Sequence, residues 1–373
     1  VPRDVSLTWK RCSLAWRRCD DIEADLAAAE PAMKPEPTPC PSLAGEAPSA
    51  QKRLKWQEVA TAGLSLAITD EDKSQWIFGT MAFRSVPGLG LGAFASKKYV
   101  KGARILAERP LASIAVPDKS VIRTGEAKRL VHALITSLGV SRRLAFFSLS
   151  QHPTHGEEQT AIGTWLSNVY PTANAGDRDN PSGCDKMAAF AEISRINHAC
   201  MPNTLLQWHS GLGCLTLQAA CDIQSGEELT IAYHGLDGGG GMVRSERQQA
   251  LFERFGFRCV CSTCSLTDAA LLRSDRRQRR LAELTGIVGV IGSEPRPSYA
   301  RIQPLMPEVL QLMAMERMPS PWAKTWMARG VMIAGEAGEY AAAHTWTRVA
   351  AECIRVAGGA DCTEYQMITG RKA

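Results

Sequence analysis

Apolar and polar residues alternate in short runs through the middle of the chain and switch to a helical period towards its end. From Phe83 to Phe94 the chain passes Pro87, Gly88, Gly90 and Gly92, then Val100-Lys101-Gly102, then Arg104-Ile105-Leu106-Ala107-Glu108-Arg109-Pro110-Leu111. Short β-type runs broken by Gly turns predict an irregular, strand-rich region beginning near Phe78. Alternation returns at Gly213-Cys214-Leu215-Thr216-Leu217-Gln218, which predicts a strand with one apolar face. After a Ser225-Gly226 turn, Leu229, Ile231 and Tyr233 share one face of a further strand. Between these regions, residues 118–185 read as a more helical insertion with polar stretches such as Asp177-Arg178-Asp179-Asn180-Pro181.

Gly238 to Gly241 form a four-Gly hinge. Ser245 followed three residues later by Gln248 fits a capping box, Leu251, Phe252 and Phe255 supply an apolar stripe, and Gly256 is the expected stop. Beyond Cys264 the chain reads as helical to its end. There Ala337-Gly338-Glu339-Tyr340 resembles the turn of one tetratricopeptide hairpin, although no period accompanies it. At the other end, Asp20 to Glu30 reads as one isolated helix. Residues 31–50 hold six prolines, and Pro lacks an amide hydrogen, so this stretch reads as an extended linker. The organisation predicted is a tail over 1–75, a strand-rich domain over 78–235, a Cys-bearing segment over 236–265 and a helical region over 266–373.

Composition narrows the function. At 373 residues the chain has room for two domains of ~100–200 residues. With 45% hydrophobic and 22% charged residues, wholesale disorder is excluded. No run of eighteen apolar residues exists, so no membrane span is predicted. A net charge of +5 is too mild to argue for nucleic acid by itself. The chain opens Val1-Pro2-Arg3 without Met, which suggests a processed, incomplete or recombinant start, and residues 1–20 lack the continuous apolar core of a secretory signal. Twelve cysteines are spread along the chain with one tight cluster, Cys259, Cys261 and Cys264. Without an export signal, a reducing compartment, nucleus or cytoplasm, is expected, and clustered thiols there point to structural zinc. Tetrahedral zinc wants four ligands. The fourth must come from a distant strand, with Cys200 the candidate and Cys214 and Cys221 the alternatives. If Cys200 closes the site, the metal would pin the C-terminal tail against the Asn197-His198 turn.

Three further features occur in order: Gly90-Leu91-Gly92-Ala93-Phe94-Ala95, Arg195-Ile196-Asn197-His198-Ala199-Cys200-Met201-Pro202-Asn203, and Glu227-Glu228-Leu229-Thr230-Ile231-Ala232-Tyr233. Singly, each reads as a tight turn, a capped turn and a strand. Together with the cysteines they resemble the SET-domain protein lysine methyltransferases. The Gly90 turn is similar to that family's cofactor loop, Asn197 to Asn203 to its Asn-His-x-Cys-x-Pro-Asn motif, Glu228 to Tyr233 to its Glu-Leu-x-x-x-Tyr, and Cys259-x-Cys261-x-x-Cys264 to its post-SET metal motif. The flank Glu192 to Ile196 and the helical tail look most like fungal SET proteins with tetratricopeptide-like C-termini. The cysteine-rich MYND module of some relatives is absent, since Cys184 is the only Cys from 95 to 185.

The resemblance implies an α+β fold, a β-clip of small sheets with a pseudoknot, and S-adenosylmethionine as methyl donor. It implies that Gly90, Leu91 and Gly92 approach the methionine end of the cofactor, that Asn197 bonds its amino or carboxylate group, and that the His198 backbone meets its adenine. Phe257 would stack on adenine, Tyr233 would stand beside the transferring methyl, and Phe255 would line the lysine channel where relatives often carry Tyr. The implied partner is a protein substrate such as a histone tail, met by a monomer. Arg273, Arg276, Arg277, Arg279 and Arg280 read as a solvated helix face, with contact to an acidic or nucleic-acid surface as an auxiliary role. A catalytically inactive SET-like module that keeps fold and zinc is the competing reading.

Overall fold

A computed structural model of the chain describes residues 77–79, 81–116, 125–151, 159–173, 185–233 and 241–370. The expected tail, its linker, the Asp20–Glu30 helix, Asp177–Pro181 and Gly238–Gly240 lie outside the described residues. Among the described residues, eleven strands form three small sheets. Strands β1 (Ile77–Gly79), β4 (Arg104–Glu108), β10 (Cys214–Ala219) and β9 (Thr204–His209) make the first, in the order β1-β4-β10-β9. The second runs β2-β3-β11-β8, from β2 (Met81–Val86), β3 (Gly90–Ala95), β11 (Glu228–Ile231) and β8 (Asn197–His198). The third is β5-β7-β6, from β5 (Ala112–Val116), β6 (Val169–Ala173) and β7 (Asp185–Ala189).

Local chemistry explains the hairpin that opens the site. Val86 pairs with Gly90 across a turn in which Gly88 (φ 77°) and Gly90 (φ 86°) take the left-handed conformation that side chains disfavour. The two motif strands β8 and β11 run parallel, pairing Thr230 with Asn197 and Ile231 with His198. Asn203 staples them further on. Its side-chain Oδ1 accepts from the Thr230 N–H at 2.9 Å, and its side-chain Nδ2 donates to the Glu228 carbonyl at 2.8 Å. Leu229, Ile231, Leu217, Ile196 and Phe190 bury into the core between these sheets.

The insertion carries α1 (Gly125–Ser137), α2 (Val140–Phe147) and α3 (Ala161–Asn168) around Trp165 and Phe146. It is not wholly helical, because β6 lies inside it and joins the third sheet. The helix after the Gly run, α4 (Arg244–Phe255), corrects the expected start. Its N-cap is Val243, and the Glu246 carboxylate accepts from the Val243 N–H at 2.8 Å, so Ser245 and Gln248 do not form the capping box. Gln248 instead donates to the Cys259 carbonyl. Gly256 does end the helix, in the left-handed conformation (φ 66°).

The C-terminal region is helical: α5 (Asp268–Ile291), α6 (Tyr299–Ile302), α7 (Leu305–Met315), α8 (Lys324–Glu336), α9 (Tyr340–Gly358) and α10 (Thr363–Thr369). Helices α8 and α9 are joined by Ala337–Glu339, the hairpin that the Ala-Gly-Glu-Tyr run suggests, with Gly338 at φ 77°. Their core includes Leu284, Met306, Met327 and Trp346, whose indole N–H donates to the Tyr299 hydroxyl at 3.0 Å. The basic run divides by the helical period. Arg277 pairs with buried Glu316 and Arg280 with Glu308, whereas Arg273, Arg276 and Arg279 are exposed. The end of α9 docks on the first sheet, where Arg104 of β4 forms a two-toothed ion pair with Asp361 at 2.6 and 3.0 Å. Among the described residues, no helix is long and apolar enough to cross a membrane.

Candidate functional site

The cysteine centre is assembled from two distant segments. The left-handed cap at Gly256 turns the chain out of α4 into 257–265. There the Cys261 N–H donates to Cys259 Sγ at 3.4 Å, and the Arg244 guanidinium binds the carbonyls of Cys264 and Leu266. Cys200 arrives from the turn after β8 and is fully buried. The four sulfurs of Cys200, Cys259, Cys261 and Cys264 lie within 4.8 Å of one another, with Cys200 Sγ 3.4 Å from Cys264 Sγ and 3.9 Å from Cys259 Sγ. Zn–S bonds of about 2.3 Å in a tetrahedron separate the sulfurs by about 3.8 Å, so spacing and donor set both suit zinc. Hydrogen bonding among the thiols, Cys259 foremost, pushes Cys200 up, while the same network, Cys200 foremost, holds Cys261 down. A cation is what allows all four to ionise together.

Cys214 and Cys221 stand elsewhere: the Cys214 thiol faces the Leu212 carbonyl, and Cys221 is exposed. Arg247 of α4, 1% exposed, approaches Cys264 Sγ at 4.0 Å and donates to the Met242 carbonyl at 2.6 Å. Burial works against its charge, and Cys200 and Cys264 sustain it. A buried guanidinium beside four thiolates offsets part of the net negative charge that such a zinc site carries.

His198 couples this centre to Tyr233. Its Nδ1 accepts from the Tyr233 N–H at 3.0 Å, which leaves the proton on Nε2, and Nε2 faces Cys200 Sγ at 3.4 Å. The imidazole therefore bridges one sulfur of the cysteine cluster and the backbone of the motif tyrosine, an arrangement able to orient that sulfur were it to hold a metal.

Aromatic rings enclose Tyr233. Its centroid lies 5.0 Å from Phe255, 5.2 Å from His198 and 6.2 Å, edge-on, from Phe257. The phenol donates to the Ile196 carbonyl at 2.8 Å. Burial, and then the Glu228 charge, push its ionisation well above the ordinary phenol range, so it stays neutral. Tyr170 of β6, whose ring meets Phe190 edge-on at 6.1 Å, is likewise pushed up by burial, then by Tyr233 and Glu108. This second phenol of the site was not legible in the sequence, because it lies in the insertion among residues of no chemical pattern.

Between the paired strands β8 and β11, the Asn197 side-chain amide donates to Glu228 Oε1 at 2.9 Å. Gly92 of β3 closes this corner. A Cβ there would sit 2.7 Å from Glu228 Oε1, 2.7 Å from Val86 Cγ2 and 3.0 Å from Asn197 Nδ2. Only Gly allows that approach: Gly92 is buried, and the side chains of Glu228, Val86 and Asn197 close over the place a Cβ would take. Leu91, between them, is half-buried. Glu228 was quoted in the motif without a role; the structure makes it the partner of Asn197. The predicted residues thus fall in one region, with His198 in the aromatic box and its neighbour Asn197 in the glycine corner.

Comparison with known proteins agrees with this geometry. The SET domain family matches residues 90–234. Histone-lysine N-methyltransferase set5 of Schizosaccharomyces pombe is 33% identical over 199 residues, covering 53% of this chain and 54% of that protein. Histone-lysine N-methyltransferase SMYD3 of Homo sapiens is 34% identical over 156 residues, covering 41% of this chain and 34% of that protein. Histone-lysine N-methyltransferase SET5 of Meyerozyma guilliermondii is 40% identical over 81 residues, 20% of this chain and 15% of that protein. The chain spans about half the length of the fission-yeast relative and a third of the human one.

Proposed function

Starting from a chain that carries a SET domain, we propose that it transfers a methyl group from S-adenosylmethionine to the ε-amine of a lysine in a protein substrate such as a histone tail. The observation that carries this reading is Tyr233. Its neutral phenol is held by the Ile196 carbonyl inside a box of Phe255, Phe257 and His198, next to the Gly92–Asn197–Glu228 corner. When bound, the sulfonium supplies an electrophilic methyl group, and Gly90, Leu91, Gly92, Asn197, the His198 backbone and the Phe257 ring would hold its carrier.

The remaining chemistry belongs to the protein. A free lysine, pKa ~10.4, is almost wholly protonated at pH 7. Aromatic walls disfavour the ammonium by desolvation. The Tyr233 O–H is spent on Ile196, so its oxygen keeps lone pairs to accept an amine N–H and orient the nitrogen. Holding the reactants at attack distance removes up to about 7–11 kcal/mol of barrier. The cysteine centre is structural: with zinc bound it fixes the 255–257 segment against His198. Phe255 offers no hydroxyl to the amine and leaves room, so the product is a di- or trimethyl-lysine.

The test titrates the purified chain with S-adenosylmethionine and then runs a peptide-array methylation assay with wild type and Tyr233→Phe. Wild type binds the donor and methylates lysine. Removing the phenol oxygen lowers turnover by about 10²-fold with donor binding retained. Absence of donor binding and of automethylation in wild type would establish instead a SET-like interaction module.

A further inference from the structure

Two carboxylates are buried among the described residues, Glu108 at 1% and Glu316 at 5% exposure. Glu316 has an evident task in the C-terminal helices, where it accepts from Ser274, Gln278 and Arg277. Glu108, the last residue of β4, faces no side-chain donor of that kind. Its Oε1 accepts from the N–H groups of Ala191 (2.6 Å) and Glu192 (3.1 Å), and its Oε2 from those of Glu192 (3.2 Å) and Ile193 (2.9 Å). Three successive amides converging on one carboxylate make an anion nest. The nest is the entrance to the 3₁₀ turn Ile193–Arg195, which delivers the chain into β8.

We infer that Glu108 is a positioning residue of the methyl-transfer site, holding the turn that sets the Ile196 carbonyl against Tyr233 and the Asn197 amide against Glu228. The inference rests on the reading of Tyr233 and Asn197 given above. The path is short and continuous. Glu108 binds Ile193 N–H, Ile196 N–H donates to Ile193 O at 3.2 Å, Ile196 O takes the Tyr233 hydroxyl, and the next residue is Asn197. Both the acceptor that aims the phenol and the amide that faces the glycine corner therefore hang from this one carboxylate. Arg195 supports it electrostatically while spending its own donors on the Ala191 carbonyl and on Ser148. Burial outweighs the pull of its three amide bonds and leaves the Glu108 carboxyl raised to about 8. All four contacts are N–H donors, a geometry that favours the carboxylate over the acid. The side chain must be long enough to cross from the first sheet to the turn, and it must accept at both oxygens. Glutamine keeps the length and replaces one acceptor by a donor aimed at N–H groups.

The experiment compares wild type, Glu108→Gln and Glu316→Gln. Both variants lose a buried carboxylate and lower the melting temperature, which controls for stability alone. Assays run well below each variant's melting point, with calorimetric titration of S-adenosylmethionine and steady-state kinetics on the best peptide from the array. Glu108→Gln is expected to lower kcat at least tenfold and raise the donor Kd at least threefold, with peptide KM within twofold. Glu316→Gln is expected to keep all three within twofold of wild type. If Glu108→Gln does not purify folded, Glu108→Asp keeps the charge and draws it back by one CH2, and a kcat at least threefold below wild type is expected. A wild-type kcat and donor Kd in the Glu108 variant overturn the inference alone. A wild type that transfers no methyl group overturns it together with the function above.

Discussion

The strongest single test of the architecture is Cys200→Ala. Cys200 lies 59 residues before Cys259 and 64 before Cys264 and is fully buried against both. A metal held by all four sulfurs closes that loop as a cross-link does. The chain-entropy relation for a loop of this length gives about 4 kcal/mol. His198 Nε2 also loses its partner at 3.4 Å, a further ~1 kcal/mol for a hydrogen bond with one side removed. The sum, about 5 kcal/mol, corresponds to roughly 10–20 °C in melting temperature for a unit of 150–250 residues. The assay is thermal unfolding followed by circular dichroism, with zinc measured by plasma mass spectrometry. Wild type is expected to hold one zinc per chain, and wild type stripped by a strong chelator, which keeps the His198–Cys200 contact, is expected to melt about 2–4 °C above Cys200→Ala. Metal-free wild type that melts unchanged, or a variant within about 2 °C of wild type, would refute the cross-link argument.

Gly92→Ala places a methyl group 2.7 Å from Glu228 Oε1 and Val86 Cγ2. It is expected to cost about 1–3 kcal/mol by overpacking and to weaken donor binding about tenfold or more, read by calorimetry; unchanged affinity would remove Gly92 from the donor site. Phe255→Tyr puts a hydroxyl on the wall whose ring centroid lies 5.0 Å from that of Tyr233, and mass spectrometry of the product peptide should show a shift towards monomethyl-lysine. Reversing Arg273, Arg276 and Arg279 to Glu should weaken nucleosome binding and flatten its salt dependence by about one unit of slope per lost phosphate contact. Binding unchanged in a gel-shift titration would leave these residues as a solvated face.

Short-range rules succeeded where a few adjacent residues make the whole decision. The left-handed stop at Gly256 and the Ala337–Glu339 hairpin turn are local matters of φ and of missing side chains. The Gly90–Ala95 run expected as a tight turn is instead strand β3, and the turn lies just before it, between Val86 and Gly90. The same rules failed where two residue sets compete locally. Ser245 and Gln248 fit the capping pattern, yet Val243 and Glu246 take the positions two residues earlier. Strand β10 shows a different limit. Its alternation was read as one apolar and one polar face, but Thr216 and Gln218 are as buried as Leu217. The Gly358-Gly359 end of α9 covers Gln218 from across the chain.

The order of motifs, residue by residue, was enough to bring Gly92, Asn197, Cys200, Tyr233 and the three later cysteines under one hypothesis, because each depends on its own chemical type. The partners that tune them were not visible. Arg247 beside Cys264, Tyr170 near Tyr233, Glu228 on Asn197 and Glu108 beneath the 191–193 turn join segments separated by 17 to 85 positions or couple through space alone. Arg104 and Asp361, 257 positions apart, lock the helical region onto the sheet. A sequence carries the identity of each group, and local pattern carries its secondary structure. Which buried charge meets which amide depends on how whole elements pack, since burial and hydrogen-bond satisfaction are properties of the closed assembly rather than of any stretch within it.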